Sequence, residues 1–253
     1  MKILMVGGNP KTLVGTELAV RNITEILTKN NKVYLFTILP VFLKTCKGVY
    51  SPTVKVLKKS LTLNIIKDSI LNSISCWRMI YPYLKFSPRG IMYYFITLFY
   101  SVLIKNFLTE HDPDIINVHG ILNIQCLPII YEAVKSKIPL IVTMHGVFSL
   151  DESVTLDFKK ELEKDVLIKL KENKCMLIAV STQVKQQLIK NFNYPPNLIT
   201  VVGNGVNLNK FSYDPHLTLL RKMNNLPQDK IILIQVGSII KRKNHIAILE
   251  AIN

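Results

Sequence analysis

The 253 residues carry 32 Lys and Arg against 17 Asp and Glu, a formal charge of +15, and 49% of them are hydrophobic. That apolar share suffices for a packed core and excludes a disordered chain, while the length allows one large or two small domains. The charge implies an anionic partner, whether nucleic acid, an anionic membrane face or a phosphorylated substrate, and does not choose among them.

In chain order, Lys2 to Val6 is an apolar run ending at Gly7-Gly8-Asn9-Pro10. Gly15-Thr16-Glu17 follows, and then Leu18, Ile23, Ile26 and Leu27 recur at near-helical spacing. This predicts strand, loop and helix. The N-terminus reads as a first buried strand rather than a signal peptide, which implies a cytoplasmic protein. A helix opening beside glycines presents free backbone N–H groups and the positive end of its dipole, which suits an anion. The spacing is not Gly-x-Gly-x-x-Gly, so the dinucleotide fingerprint is absent.

Asn31 to Leu39 predicts a second strand and Thr53 to Leu57 a third. From Ser60 to Glu110 the chain is rich in long apolar and aromatic stretches. The most continuous, Ile91 to Ile104, is bounded by Arg89 and Lys105. It falls short of the ~18 to 20 apolar residues that a spanning helix needs. Basic side chains near Trp77, Tyr81, Tyr83 and Phe86 suit helices lying on an anionic bilayer. The same pattern fits a core helix with its basic residues on the wet face.

His111 to Gly120, HDPDIINVHG, is a turn into a buried strand ending at His119, and Pro139 to Gly146, PLIVTMHG, repeats the form and ends at His145. In an open parallel sheet ligands gather outside the carboxyl ends of the strands, so both histidines point to a cleft. A lone His is more often a satisfied structural group. His119 is read that way, and His145 as functional.

An amphipathic helix follows within Ser149 to Asn173, with Leu162, Val166, Leu167 and Leu170 at helical spacing and Glu161, Glu163 and Lys164 on the other faces. Cys175 to Val180 predicts the next strand, and Ser181 a cap for the helix after it. A Pro-Pro turn, a strand over Leu198 to Val202 and the cluster Gly203-Asn204-Gly205 complete this region, with Asn204 and Gly205 as a hinge. Ile231 to Gly237 predicts a strand and is followed by Lys241-Arg242-Lys243-Asn244 and a helix start, the unit that opens a second doubly wound domain. Alone, such a strand cannot bury itself, so residues Ile231 to Asn253 are expected to be mobile or to pair with another chain. Cys46, Cys76, Cys126 and Cys175 have no paired spacing, so neither a zinc site nor a disulfide framework is indicated, and no metal is expected.

Taken together, these segments resemble glycosyltransferase family four, of GT-B fold. Ser181, Leu198 to Val202, Asn204-Gly205-Val206 and Phe211 are similar to its interdomain segment, with Gly203 for its usual Pro and Asn207 for its Asp. The first loop, with Gly15, Thr16 and Glu17, is similar to one ending Gly-Gly-x-Glu. The two histidine strands resemble Asp-Ile-Ile-His-Val-His, with Asn117 for the first His, and Pro-x-Val-x-Thr-x-His. Val236-Gly237 and Lys243 fit the donor-phosphate loop, in which Ser238 replaces an Arg that Arg242 could compensate.

The resemblance implies an α/β fold with a doubly wound, mostly parallel Rossmann-like sheet. It implies an acceptor-side domain over 1–203, a linker over 204–228 and the start of a nucleotide-sugar-binding domain over 229–253. It further implies a retaining transferase without cofactor, moving a sugar from a nucleotide-sugar to a glycan or lipid-linked acceptor such as a cell-surface polysaccharide. In it His145 would reach the donor sugar. Gly15, Thr16, Glu17 and His119 would line the acceptor side, and Gly237, Ser238, Arg242 and Lys243 would hold the diphosphate. The alternative is a non-catalytic acceptor- or membrane-binding half, truncated before the donor site and dependent on a C-terminal partner. No RNA-binding or helix-turn-helix signature is present, so nucleic acid is not expected.

Overall fold

The computed structural model describes residues 1–7, 15–36, 55–56, 101–121, 126–151, 157–206, 208, 217–237, 239 and 243–252. The chain divides into two compact units, Met1–Asn204 and Gly205–Asn253.

The first unit is built on seven parallel strands in the order β3-β2-β1-β4-β5-β6-β7. They are β1 (Lys2–Val6), β2 (Lys32–Phe36), β3 (Lys55–Val56), β4 (Ile115–His119), β5 (Leu140–Met144), β6 (Met176–Ala179) and β7 (Ile199–Val201). The helices between them are α1 (Gly15–Leu27), α2 (described over 101–111), α3 (Cys126–Lys135), α4 (Asp157–Glu172) and α5 (Thr182–Phe192). This is the expected α/β architecture. Parallel strands joined by helices are covered on both faces, so their residues are apolar on both sides.

Side chains sort by the period of two. Leu4, Val6, Ile116, Val118, Val142, Met144, Leu177 and Ala179 enter the larger core, whereas Ile3, Met5, Val33 and Leu35 enter a second core with Val20 of α1. The described end of the long apolar run belongs to the larger core: Val102, Leu103 and Ile104 of α2 are buried there, together with Phe107 and Leu108 further along the helix. Residues 91–100 lie outside the described residues, as do Phe211, Ser238, Arg242, Cys46 and Cys76. Cys126 and Cys175 are buried free thiols, and burial pushes Cys126 up to about 12. Among the described residues no helix is long and apolar enough to cross a membrane.

One local expectation holds in detail, and the other end of the same helix is capped as well. Ser181 caps α5, its Oγ accepting a hydrogen bond from Val184 N at 3.2 Å. Asn193 ends the same helix in the left-handed conformation.

In the second unit, α6 (Leu217–Met223) and α7 (His245–Ile252) form. The strand expected over Ile231 to Gly237 does not. Residues 231–236 join no ladder, and Ile231, Ile234 and Val236 are 90, 84 and 87% exposed. An apolar run becomes a strand only beside another strand that takes up its N–H and C=O groups, and the described residues of this unit supply none.

Candidate functional site

The sheet order reverses direction between β1 and β4, with α1 packed in the second core and α3 in the larger one; this is the topological switch outside whose carboxyl ends open α/β sheets hold ligands. Gly7 follows β1 and His119 ends β4. Gly7 is buried with φ at +155°, and a Cβ placed on it would come within 2.9 Å of the His119 Cβ and 3.4 Å of Val20. Only glycine lets the end of β1 pass this close to the histidine. Gly120 turns the chain immediately after β4 with φ at +77°, its N donating to Thr143 O at 2.9 Å.

The two strand-end histidines meet. His119 Nδ1 lies 3.1 Å from His145 Nε2, with the rings tilted at 34°. The register of β4 on β5, with His119 opposite Thr143, places His145 one step beyond β5. Asn117, His119, Thr143 and His145 alternate with the apolar residues Ile116, Val118, Val142 and Met144 that enter the larger core. A second polar rung lies below the histidines, where Thr143 Oγ1 donates to Asn117 Oδ1 at 3.0 Å. The signal for this column stood in the sequence as a polar residue at every second position toward the end of both strands.

His119 has no exposed surface and His145 is half-buried. Burial, and secondarily the neighbouring His145, lowers the His119 pKa to about 3. Burial also holds His145 below the usual imidazole range. Both rings are therefore neutral at neutral pH, so the pair offers a hydrogen-bonding group rather than a positive charge.

The loop after His145 is fixed from below. Glu163 of α4 is 1% exposed and its carboxylate accepts hydrogen bonds from Phe148 N at 3.1 Å and Ser149 N at 2.5 Å. This corrects the expectation that Glu163 lies on a solvated face. It stands four residues before Leu167 and seven before Leu170, hence on the buried stripe. Glu163→Ala is expected to cost about 2–4 kcal/mol, because two loop amides lose an acceptor. Urea unfolding monitored by circular dichroism checks this, and unchanged stability would mean that the loop holds itself.

Gly15, Thr16 and Glu17 form the first turn of α1; Gly15 is exposed, Thr16 and Glu17 are half-buried. In the second unit Gly237 and Lys243 come together, with the Lys243 stem 3.7 Å from where a Gly237 Cβ would stand. Gln235 Nε2 donates to Lys243 O at 2.8 Å. The boundary between the units falls between Asn204 and Gly205. No group of three or more His, Cys, Asp or Glu that could hold a metal occurs among the described residues.

Several solved structures share this fold. A glycosyltransferase from Rickettsia africae matches 99% of the chain with a TM-score of 0.63 and 17% identity, over 56% of its own length. Sucrose-phosphate synthase from Thermosynechococcus elongatus matches 90% of the chain, with a TM-score of 0.59, 16% identity and 53% of its own length covered. HepE from Anabaena, solved in complex with UDP, matches 89% of the chain with a TM-score of 0.56 and 16% identity, over 50% of its own length. The chain thus spans about half the length of each of these three. No curated protein sequence matches it. The profile of glycosyltransferase family 4 matches residues 77–210, a segment that contains both strand-end histidines and more than half of the chain. The chain belongs to glycosyltransferase family 4.

Proposed function

We propose that this chain provides the acceptor-side half of a retaining glycosyltransferase that moves a sugar from a nucleotide-sugar to a glycan or lipid-linked acceptor. The carrying observation is the hydrogen-bonded pair His119 and His145 at the carboxyl edge of the sheet, inside the segment that the family profile matches.

In this reading His145 hydrogen-bonds a hydroxyl of the donor sugar near the bond that breaks. Gly15, Thr16 and Glu17 border the acceptor. Gly237, Ser238, Arg242 and Lys243 face the diphosphate, with Lys243 offsetting the negative charge that grows on the leaving group. Departure of the diphosphate and attack by the acceptor hydroxyl occur on one face of the sugar, and a leaving-group phosphate oxygen takes up the hydroxyl proton. Atoms balance as nucleoside diphosphate plus glycoside. No cofactor enters this scheme. UDP bound to the Anabaena relative supports a nucleotide-linked donor. The charge of +15 supports an anionic partner, which we assign to the diphosphate and to an anionic membrane surface that carries a lipid-linked acceptor.

The full-length protein, incubated with radiolabelled UDP-, GDP- and ADP-sugars and membranes, is expected to release nucleoside diphosphate and label a lipid or polysaccharide fraction. Absence of transfer from every donor, by protein that is folded, would overturn the reading in favour of a non-catalytic binding half.

A further inference from the structure

We propose that His119 is a positioning residue that locks His145 in its Nδ1–H tautomer, by donating its own Nδ1–H to His145 Nε2 across their 3.1 Å contact.

Two neutral imidazoles joined through these atoms have two arrangements. In the first, His119 Nδ1–H donates to His145 Nε2; His119 Nε2 is then a bare lone pair and His145 carries its proton on Nδ1. In the second, His145 Nε2–H donates to His119 Nδ1; His119 must then carry its remaining proton on Nε2.

The surroundings of His119 Nε2 decide between them. This atom is buried and has no hydrogen-bond partner among the described residues. Buried N–H groups without an acceptor are the rarer and costlier defect, whereas an acceptor with an unused lone pair is better tolerated. The first arrangement therefore prevails. Gly7 lets β1 pass beside this histidine, since a Cβ there would come within 2.9 Å of the His119 Cβ.

The consequence lies on the half-buried ring. His145 Nδ1 makes no hydrogen bond among the described residues, and in this tautomer it carries a proton. His145 then meets a ligand as a neutral donor to an oxygen atom, and does not abstract a proton. The two histidines, ascribed to separate roles by sequence, form one device. The functional consequence rests on the reading that His145 touches the sugar, but the tautomer itself does not.

Long-range proton–nitrogen correlation spectra of the 15N-histidine-labelled 253-residue chain at pH 7.5 read the tautomer directly, because protonated and bare ring nitrogens resonate far apart. His145→Gln identifies the His145 signals. The expected wild-type result is a bare Nε2 and a protonated Nδ1 on both His119 and His145. His119→Asn, whose amide nitrogen takes the place of Nδ1, should keep His145 in that form. His119→Leu should release it to the mixture of a free imidazole, in which the Nε2–H form prevails.

A protonated Nε2 on wild-type His145 overturns the proposal, whether or not the variants fold. So does a His119→Leu spectrum in which His145 is unchanged. In transfer assays of the full-length protein, His119→Leu should lose about tenfold in kcat, the worth of one neutral hydrogen bond, and His119→Asn should restore most of it. If His145→Ala leaves transfer intact while the spectra are as expected, the role of His145 in transfer fails and the tautomer assignment stands.

Discussion

His145→Ala in the full-length protein is expected to lower kcat for sugar transfer by roughly 100- to 1000-fold, the usual effect of deleting one well-placed donor to a polar transition state. The fold should survive, because the ring is only half-buried and lies just beyond the end of β5. Its pH profile should carry a second mark. Burial holds the His145 pKa below the ordinary 6.5, and the proposed role requires the neutral ring. Activity should therefore stay level as pH falls from 8 through the ordinary histidine range and decline only in more acid solution. Near-normal turnover of His145→Ala would remove this residue from the site.

The second large effect is on acid stability. His119 titrates near 3 in the folded protein, against 6.5 for an ordinary imidazole. Below about pH 6.5 the unfolded chain takes up a proton that the folded chain refuses, so the contribution of this group is fully present above 6.5 and is lost progressively as pH falls toward 3. Between pH 7 and pH 5 the loss from His119 alone should be about 2 kcal/mol. His145, also lowered, adds in the same direction. Urea unfolding of wild type and His119→Asn at the two pH values separates the contributions, since the variant keeps His145. Wild type should lose about 2 kcal/mol more than the variant on acidification. Equal losses would mean that His119 takes up its proton without unfolding.

The parallel sheet was legible because its strands are short apolar runs between helical periodicities, and the positions of His119 and His145 followed from the ends of those runs. What sequence could not deliver was register. The contact between the two rings depends on His119 standing opposite Thr143 rather than a neighbour, and one residue of slip would turn His119 to the other face. His119 was read from sequence as a satisfied structural group, and its meeting with His145 could not be foreseen without that information. The tight passage of Gly7 is equally a product of β1 lying beside β4, which no local pattern encodes. Glu163 was misread for another reason: a carboxylate counts as polar in any pattern, yet here it is buried and accepts from two backbone amides. At Ile231 to Gly237 the apolar run was legible and the strand was not, since a ladder needs a partner that a sequence window does not contain.

The placement of β1 between β2 and β4 also sets an order of assembly. β1 can pair with β2 as soon as the first helical crossover closes, but its other edge waits for Ile115–His119. The bond from Lys2 N to Asp114 Oδ2, at 2.6 Å, closes a separation of 112 residues. Closing so long a loop costs entropy before any contact offsets it, and such steps are the slow ones. As the chain emerges from the ribosome, one edge of β1 stays open while the next hundred or so residues are made. His145 follows later still, so the histidine pair that defines the site is completed well after the first strands have formed.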